Sequence, residues 1–214
     1  MPPVVEQLSL GPIATNCYVV RADARAAEAV VVDPSGDAAE INLVLERMGA
    51  RCSAILITHG HWDHLLGVAD LAERTGAPVY MAEGERGLLE GPGFTPAEIS
   101  LRPYAPDVLL EGGESIEAAG LTFDVLSVPG HSPAHLAYQS DGSLFSGDVL
   151  FAGSVGRTDL PGADWDTLAD SMRSLVEAYP PETIVYSGHG PVTTLGVELE
   201  RNPFLAHLRA DRHT

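Results

Sequence analysis

The chain has 214 residues, of which 45% are hydrophobic, so it can bury one sizeable core, and nothing in its length requires a second domain. Its formal net charge is -18, with 12 arginines and no lysine, which argues against nucleic-acid and anionic-membrane partners and excludes lysine-based catalysis. The N-terminus lacks a basic stretch followed by an apolar run, and no apolar segment approaches the ~18 residues of a membrane span. We therefore expect one domain over residues 1–214, located in the cytoplasm.

The first half of the chain is predicted to alternate between strands and helices. Three β-rich runs come first, VVEQLSL, NCYVVRA and EAVVVD. A helix over DAAEINLVLERMG follows, and Gly49 supplies its stop. Its apolar face consists of Ile41, Val44, Leu45 and Met48. The buried strand SAILIT then leads into a second helix, predicted from about His64 to Gly76.

The second half is dominated by strands. After a Gly/Pro-rich stretch that we expect to wrap the surface, the predicted strands are ESIEAA, LTFDVLSV, HLAYQS and SLFSG. A helix over about 165–179 carries an apolar stripe of Trp165, Leu168, Met172, Leu175, Val176 and Tyr179. A strand, TIVYSG, and a terminal helix near 195–210 complete the chain. Because every sheet needs its apolar face covered, this order predicts two sheets packed face to face with helices outside.

Two cysteines, Cys17 and Cys52, are too few for a disulfide framework and lack the spacing of a thiolate metal site. We expect both to be small buried hydrophobic residues.

Histidines and aspartates cluster where the predicted strands end. His59, His61, Asp63 and His64 follow the strand SAILIT within six positions. Three further polar residues each follow a later strand: His131, Asp148 and His189. Since sheet packing brings strand ends together at one rim, these side chains are expected to converge. Residues two apart in an extended segment point the same way, so His59 and His61 can bind one ion.

Imidazole and carboxylate donors together suit zinc, iron or manganese, whereas calcium and magnesium prefer oxygen ligands. The plainer alternative is an unusually polar turn, and a single histidine after a strand is more often a turn residue than a ligand. Five of the eight histidines nevertheless fall in these strand-end turns, which favours the metal interpretation.

These motifs resemble those of a known family. HGHWDH resembles the His-x-His-x-Asp-His signature of the metallo-β-lactamase superfamily, and PGHSPAH, SGD and SGHG are similar to its later metal motifs in the same order. The resemblance covers nearly the whole chain. It implies an α/β fold of α+β type, a four-layer αββα sandwich of two mixed β-sheets with helices outside.

The resemblance also implies a set of ligands for two divalent cations. His59, His61 and His131 would hold one ion, Asp63, His64 and His189 the second, and Asp148 would bridge them. Asp63 and Asp148 would thereby also be catalytic residues. Zinc is the favoured metal, with iron or manganese as alternatives.

Within the superfamily, GSVGRTDLPGAD and GHGPVTTLGVELERNPFL are similar to short bacterial glyoxalase II-like hydrolases. That resemblance implies hydrolysis of a 2-hydroxyacyl thioester such as S-D-lactoylglutathione by a metal-bound hydroxide. A thioester suits the composition, because a thiol of pKa near 8.5 leaves as thiolate without a strong proton donor. Full-length glyoxalase II enzymes carry a further helical domain for glutathione, whereas 25 residues follow His189 here, so the thiol of the substrate stays open.

Several other activities fit the resemblance less well. The main rival is a persulfide dioxygenase, in which His59, His131 and Asp148 would hold a single iron. A β-lactamase would be expected to be secreted and to use a cationic side chain, and a nuclease would be expected to have a basic surface. A non-catalytic metal-binding module is disfavoured because structural zinc sites are closed.

Four further side chains near these motifs have two interpretations each. VVDPSG resembles a family loop in which the acid, here Asp33, lies beneath the metal site, and the alternative is a plain turn residue. Arg157 contacts substrate or, as we favour, pairs with Asp159. For His135 we favour a role in supporting the ligands, or a surface position, over metal ligation. Trp62 is expected to pack the turn rather than line the substrate mouth. At the C-terminal end, His207 and His213 are expected to be solvated.

Overall fold

The computed structural model describes residues 2–91, 95–206 and 208 of the chain. Its first half forms a six-stranded mixed sheet, in which the order along the sheet follows the order along the chain. The strands are Val4–Leu10 (β1), Thr15–Arg21 (β2), Glu28–Val32 (β3), Arg51–Leu56 (β4), Val79–Ala82 (β5) and Val108–Leu110 (β6). The pairs β1–β2 and β2–β3 are antiparallel, and the remaining pairs are parallel.

The second half forms another six-stranded mixed sheet. Its strands are Ser115–Ala118 (β7), Leu121–Ser127 (β8), Leu136–Ser140 (β9), Ser143–Gly147 (β10), Ile184–Ser187 (β13) and Thr193–Thr194 (β14). Along the sheet their order is β14-β13-β10-β9-β8-β7. Strands β10 and β13 are parallel, and the other pairs are antiparallel. A small hairpin, Leu150–Phe151 (β11) and Ser154–Val155 (β12), lies beside this sheet.

Six α-helices occur among the described residues. They span Ala38–Met48 (α1), Trp62–Leu65 (α2), Val68–Thr75 (α3), Arg86–Glu90 (α4), Trp165–Ala178 (α5) and Leu195–Arg201 (α6). Helix α1 begins at its N-cap Asp37, whose side chain accepts the N–H of Ala39, and ends at Gly49 with φ 64°. The predicted stop at Gly49 is therefore confirmed. Within the described part of the chain, no helix has the length and apolar character needed to span a membrane.

The side chains of β2 point alternately to the two faces of the first sheet and show how the layers pack. Cys17 and Val19 face the outer side of the first sheet, where they pack with residues of α1 and α3. Tyr18 and Val20 face the other way and pack against residues of the second sheet, such as Phe123. A third apolar cluster lies on the outer side of the second sheet, beneath α5 and α6. The predicted four-layer αββα sandwich of two mixed sheets is thus confirmed.

Two buried tyrosines form hydrogen bonds between the sheets. The hydroxyl of Tyr18, on β2, donates to the carbonyl of Ser187, on β13, over 2.6 Å. The hydroxyl of Tyr138, on β9, donates to the carbonyl of Ile57, just beyond β4, over 2.7 Å. Both bonds lie next to strand ends, so they fix the register of the two sheets near one rim.

Three predicted elements differ from the structure. The second helix is two helices, α2 and α3, because Gly67 lies between them and packs so closely on the carbonyl of Gly36 that a Cβ there would collide with it. The terminal helix predicted near 195–210 is interrupted: α6 ends at Arg201, and Pro203 begins a separate 3₁₀ turn over Pro203–Leu205. The end of the predicted range lies partly outside the described residues.

The third difference concerns the apolar stripe of α5. Leu168, Met172, Leu175 and Val176 are buried as predicted, but Trp165 is 39% exposed because it lies in the first turn of the helix, beside the exposed Phe204. The prediction for the cysteines holds, since Cys17 and Cys52 are both free and buried.

Candidate metal centre

The seven histidines and aspartates singled out in the sequence lie together at one rim of the sandwich. The loop after β4 and helix α2 carry His59, His61, Asp63 and His64, and the other three follow strands of the second sheet. The structure thus brings donors from both sheets into one cluster. Close ligand atoms with the composition of a metal site form a first group, His59, His61 and His131, and a second group, Asp63, His64 and His189. A further set, His59, His64 and Asp148, joins the two groups.

The first group consists of three histidine rings. Nε2 of His59 lies 3.0 Å from Nδ1 of His61, and Nε2 of His131 lies 2.8 Å from the same atom. The opposite nitrogens of two rings are already engaged: Nδ1 of His131 donates to the carbonyl of Arg157 over 2.8 Å. Nδ1 of His59 lies 3.1 Å from the hydroxyl of Thr58.

These contacts decide which nitrogens are free to bind a cation. Since the Thr58 hydroxyl donates to Asp33, it accepts from His59, so both His59 and His131 present an unprotonated Nε2 toward His61. A proton on His61 cannot lie between three nitrogens at once, whereas a cation bound to all three can. The first group therefore fits a metal ion.

Burial keeps two of these rings, those of His59 and His61, neutral. Burial, together with the neighbouring histidines, lowers the pKa of His59 well below its usual range. Burial likewise lowers the pKa of His61 to about 4. Neutral imidazole is the form that binds metals, so these rings are ready to act as ligands near neutral pH.

The second group combines Asp63, His64 and His189. Nε2 of His64 and Nε2 of His189 each lie 3.3 Å from Oδ2 of Asp63. The hydroxyl of Thr15 donates to the same oxygen over 2.8 Å and holds the carboxylate in place. Donors of the second group thus face one another as closely as ligands of one cation do.

Asp148 lies between the two groups. Its Oδ2 lies 3.5 Å from Nε2 of His131 and 3.5 Å from Nε2 of His189, while its Oδ1 lies 3.4 Å from Nε2 of His64. Oδ1 of Asp148 and Nε2 of His64 are both buried, and neither has a hydrogen-bond partner among the described residues. Buried polar atoms are rarely left unpaired, so two such atoms facing each other fit a cation that binds both.

Two glycines allow the chain to pack closely against Asp148. A Cβ at Gly188 would overlap Oδ1 of Asp148 and come within 2.6 Å of Cε1 of His64. A Cβ at Gly156 would overlap the carbonyl of Asp148 and come within 2.9 Å of Nδ1 of His131. The turns around the cluster therefore pack as closely as glycine allows.

In the second group the carboxylates hold protons on the histidines. Burial lowers the pKa of His64, but the carboxylates of Asp148 and Asp33 outweigh it and raise that pKa well above its usual range. Burial also lowers the pKa of His189, and hydrogen bonds to Asp148 and Asp63 raise it to about 9. Conversely, burial raises the pKa of Asp148, but His64 and His189 hold it well below its usual range. Metal binding here must displace protons from histidine.

Asp33 lies directly beneath His64, as one of its two interpretations predicts. Its Oδ2 accepts from Nδ1 of His64 over 2.9 Å and from the hydroxyl of Thr58 over 2.7 Å, and its Oδ1 accepts the N–H of Thr58 over 2.8 Å. The carboxylate fixes the tautomer of His64, so that Nε2 faces the cluster. Asp33 is therefore more than a turn residue.

The remaining predictions near the site have mixed outcomes. His135 is fully buried, which excludes the surface alternative: its ring stacks on His59, and its Nε2 accepts the N–H of Asp148 over 3.1 Å. Arg157 pairs with Asp159 through two contacts of 2.6 Å, as predicted. Trp62 is half-buried at the start of α2. His207 and His213 lie outside the described residues.

The residues that support the candidate ligands were not predicted from the sequence. Thr15 contacts Asp63, and Thr58 joins Asp33 to His59. Asn16 donates to the carbonyls of Ser187 and Gly190 on either side of His189. Such residues have no local signature, because their partners are far away in the chain.

Comparison with known proteins places the chain in a family. The model of the metallo-beta-lactamase superfamily matches residues 10–189. The probable metallo-hydrolase YqgX of Bacillus subtilis is 35% identical over 93% of this chain and 96% of its own. The hydroxyacylglutathione hydrolase GloC of Haemophilus influenzae is 31% identical over 94% of this chain and 97% of its own.

Solved structures agree with this placement. The crystal structure of the BLEG-1 B3 metallo-beta-lactamase has a TM-score of 0.89 and 40% identity, and the match covers 95% of this chain and 100% of the other. The crystal structure of TTHA1623 in a di-iron-bound form has a TM-score of 0.81 and 39% identity, with 94% and 100% covered.

Proposed function

Because this chain belongs to the metallo-β-lactamase superfamily, we propose that it is a metal-dependent hydrolase that cleaves a 2-hydroxyacyl thioester of the S-lactoylglutathione type. The observation that carries this proposal is the position of Asp148 between two groups of donors. Its carboxylate lies 3.5 Å from His131 of one group and 3.5 Å from His189 of the other. A carboxylate so placed can bridge two cations, as in two-metal hydrolases.

We assign each group to one divalent cation. His59, His61 and His131 would hold the first, Asp63, His64 and His189 the second, and Asp148 would contact both. The unprotonated Nε2 atoms of His59 and His131 and the unpaired Oδ1 of Asp148 support this assignment. Zinc fits this nitrogen-rich donor set, and iron or manganese are alternatives, since a relative of 39% identity is known in a di-iron-bound form.

When bound, two such cations would lower the pKa of a water molecule toward neutrality and polarise the thioester carbonyl. The chain's own part is to hold Asp63 and Asp148 as carboxylates at the reaction centre, where their negative charge orients an attacking water. Thr15 keeps Asp63 in place, and His135 does the same for the backbone of Asp148. Gly188 leaves room beside that carboxylate, and Gly156 leaves room beside the backbone carbonyl of the same residue.

A thioester substrate suits a chain that has no lysine to protonate a leaving group. The thiol leaves as thiolate, so no side chain needs to protonate the leaving group, and the chain has no lysine that could do so. The guanidinium of Arg157, the nearest candidate for an anionic substrate, is engaged by Asp159. The name of the Haemophilus influenzae relative, hydroxyacylglutathione hydrolase, supports the same substrate class. With a net charge of -18, we expect a small-molecule partner rather than nucleic acid or membrane.

The persulfide dioxygenase alternative uses only part of the cluster. A single iron at His59, His131 and Asp148 would leave His61, Asp63, His64 and His189 without a metal to bind, although the last three also have the composition and spacing of a metal site. Hydrolysis with two ions accounts for all seven side chains.

Metal analysis and activity assays on one preparation test the proposal. We expect about two divalent ions per chain and hydrolysis of S-D-lactoylglutathione that stops with a chelator and returns with the metal. The same sample should neither open a chromogenic cephalosporin at a comparable rate nor consume oxygen with glutathione persulfide. A preparation with two metals that leaves thioesters intact while cleaving the cephalosporin would reject the proposal. One iron per chain with oxygen uptake would establish the dioxygenase instead.

A further inference from the structure

Glu85 is a buried carboxylate that the proposed reaction does not use. It ends the 3₁₀ turn Glu83–Glu85, between β5 and α4, and only 2% of its surface is exposed. Such burial is unusual for a glutamate, and a buried carboxylate needs hydrogen-bond donors.

Both oxygens of Glu85 accept backbone N–H groups from the loops that carry candidate ligands. Oε2 accepts the N–H of Gly60, the residue between His59 and His61. Oε1 accepts the N–H of Ala134 over 2.9 Å, and Ala134 lies three residues beyond His131. The first loop follows β4 of the first sheet, and the second precedes β9 of the second sheet. One side chain therefore joins two donor loops that come from different sheets.

The segment around Glu85 packs closely against both loops. A Cβ at Gly60 would come within 2.5 Å of Cδ1 of Leu88 and 3.1 Å of Oε2 of Glu85. A Cβ at Gly84 would come within 2.8 Å of Cβ of Ala134. The turn that presents Glu85 thus lies directly against both loops.

We propose that Glu85 is a positioning residue that sets the spacing of His59, His61 and His131 by binding the two loops that carry them, and so selectively strengthens metal binding at that group. The inference rests on the metal assignment of the proposed function. It concerns the first group alone, because Asp63, His64 and His189 are held by Thr15, Asp33 and Asn16 instead. Outer hydrogen-bond partners of metal ligands contribute about 10- to 100-fold in affinity.

Stepwise zinc binding by the full chain, measured in competition with a chromogenic chelator at fixed pH, tests this role. Two reference variants, His61→Ala and His189→Ala, identify which binding step belongs to which group. Glu85→Gln keeps the side chain's shape but replaces one acceptor by a donor that faces a backbone N–H. We expect Glu85→Gln to weaken zinc binding at the first group, the step that His61→Ala removes, by about 10- to 100-fold. Zinc binding at the second group, the step that His189→Ala removes, should weaken by less than about threefold.

Glu198→Gln is the matched control. Glu198 is equally buried, and its carboxylate accepts the N–H of Gly153 over 2.7 Å and the hydroxyl of Thr193 over 2.6 Å, but it contacts neither donor loop. We expect this variant to keep both binding steps. The visible spectrum of the Co²⁺-loaded chain should change in Glu85→Gln and stay unchanged in Glu198→Gln.

Each other outcome overturns the inference. Unchanged affinities in Glu85→Gln, or equal weakening of both steps, would show that Glu85 only stabilises the fold. Glu85→Ala serves as a second variant, and if it fails to fold, the isosteric glutamine variant decides. A wild-type chain that binds neither zinc, iron nor manganese would instead refute the proposed function, so the two failures are distinguishable.

Discussion

Oδ2 of Asp33 lies 2.9 Å from Nδ1 of His64, and both side chains are buried. Asp33 has φ 49°, a left-handed conformation that asparagine also tolerates, so Asp33→Asn should keep the backbone. The amide offers only one acceptor where the carboxylate offers two, and the tautomer of His64 is then less firmly held. We expect zinc affinity to fall by about 10- to 100-fold, measured by chelator competition.

The control for this prediction is Asp70→Asn, which changes an exposed aspartate that pairs with Arg102 on the surface. It should leave zinc affinity unchanged. If Asp33→Asn binds zinc as tightly as the control does, Asp33 contributes only to the turn.

Replacing Asp148 should abolish turnover and spare the fold. Asp148→Ala removes the carboxylate that faces His64, His131 and His189, but the backbone N–H of residue 148 still donates to His135. We expect kcat for thioester hydrolysis to fall at least about 100-fold, because several kcal/mol of transition-state stabilisation depend on the metals. Circular dichroism should show native secondary structure. A folded variant with near-normal turnover would contradict the bridging role.

Gly188→Ala should damage the centre through a single methyl group. The added Cβ would overlap Oδ1 of Asp148 and crowd His64, so we expect weaker metal binding and slower hydrolysis in a folded protein. Gly87→Ala is the matched control, since its Cβ would meet nothing within 4 Å and it lies inside α4. That control should keep its activity and gain up to about 1 kcal/mol in the free energy of unfolding. Equal behaviour of the two variants would show that the space beside Asp148 is not required.

The metal-free protein should be most stable near pH 6.5. The pKa of His189 is raised to about 9, so its stabilising contribution is complete below the unfolded value of about 6.5 and is lost as the pH rises through 9. The pKa of His61 is lowered to about 4, so protonation in the unfolded state destabilises the fold as the pH falls from about 6.5 toward 4.

Thermal unfolding of chelator-treated protein between pH 4 and pH 10 measures this profile. In His189→Gln the decline on the alkaline side should be smaller, while the acid side is retained. A stability that keeps rising from pH 6.5 to pH 9 in the wild type would contradict the prediction.

The sequence predicted the elements whose signals are local. Helix α1 has an N-cap, an apolar face and a terminal glycine within one short segment, and its stop at Gly49 is where the pattern indicates. The layer order also follows from local patterns, because strands with two apolar faces, such as β2, must lie between two covering layers. Convergence of the strand-end histidines and aspartates follows from the same order.

Features that depend on distant contacts could not be predicted in this way. The division of the second helix at Gly67 depends on the carbonyl of Gly36, 31 residues earlier in the chain. Strand β5 has only four residues, too few to show the alternation of apolar and polar residues that identifies a strand. The role of Glu85 depends on partners 25 and 49 residues away, and a glutamate in a turn looks like any solvated residue. Trp165 fits the helical period of α5, but the period does not reveal that its side chain stays exposed beside Phe204.

The cluster also has a consequence for how the two halves of the molecule hold together. Four of its side chains follow β4 in the first sheet, and three follow strands of the second. Among the strands that the structure describes, the chain passes from one sheet to the other once, between Leu110 and Ser115. Ions bound by both sets would act as cross-links between two sequential fragments. A chain cut within this crossover should therefore reassemble from its two pieces more tightly with zinc than without it.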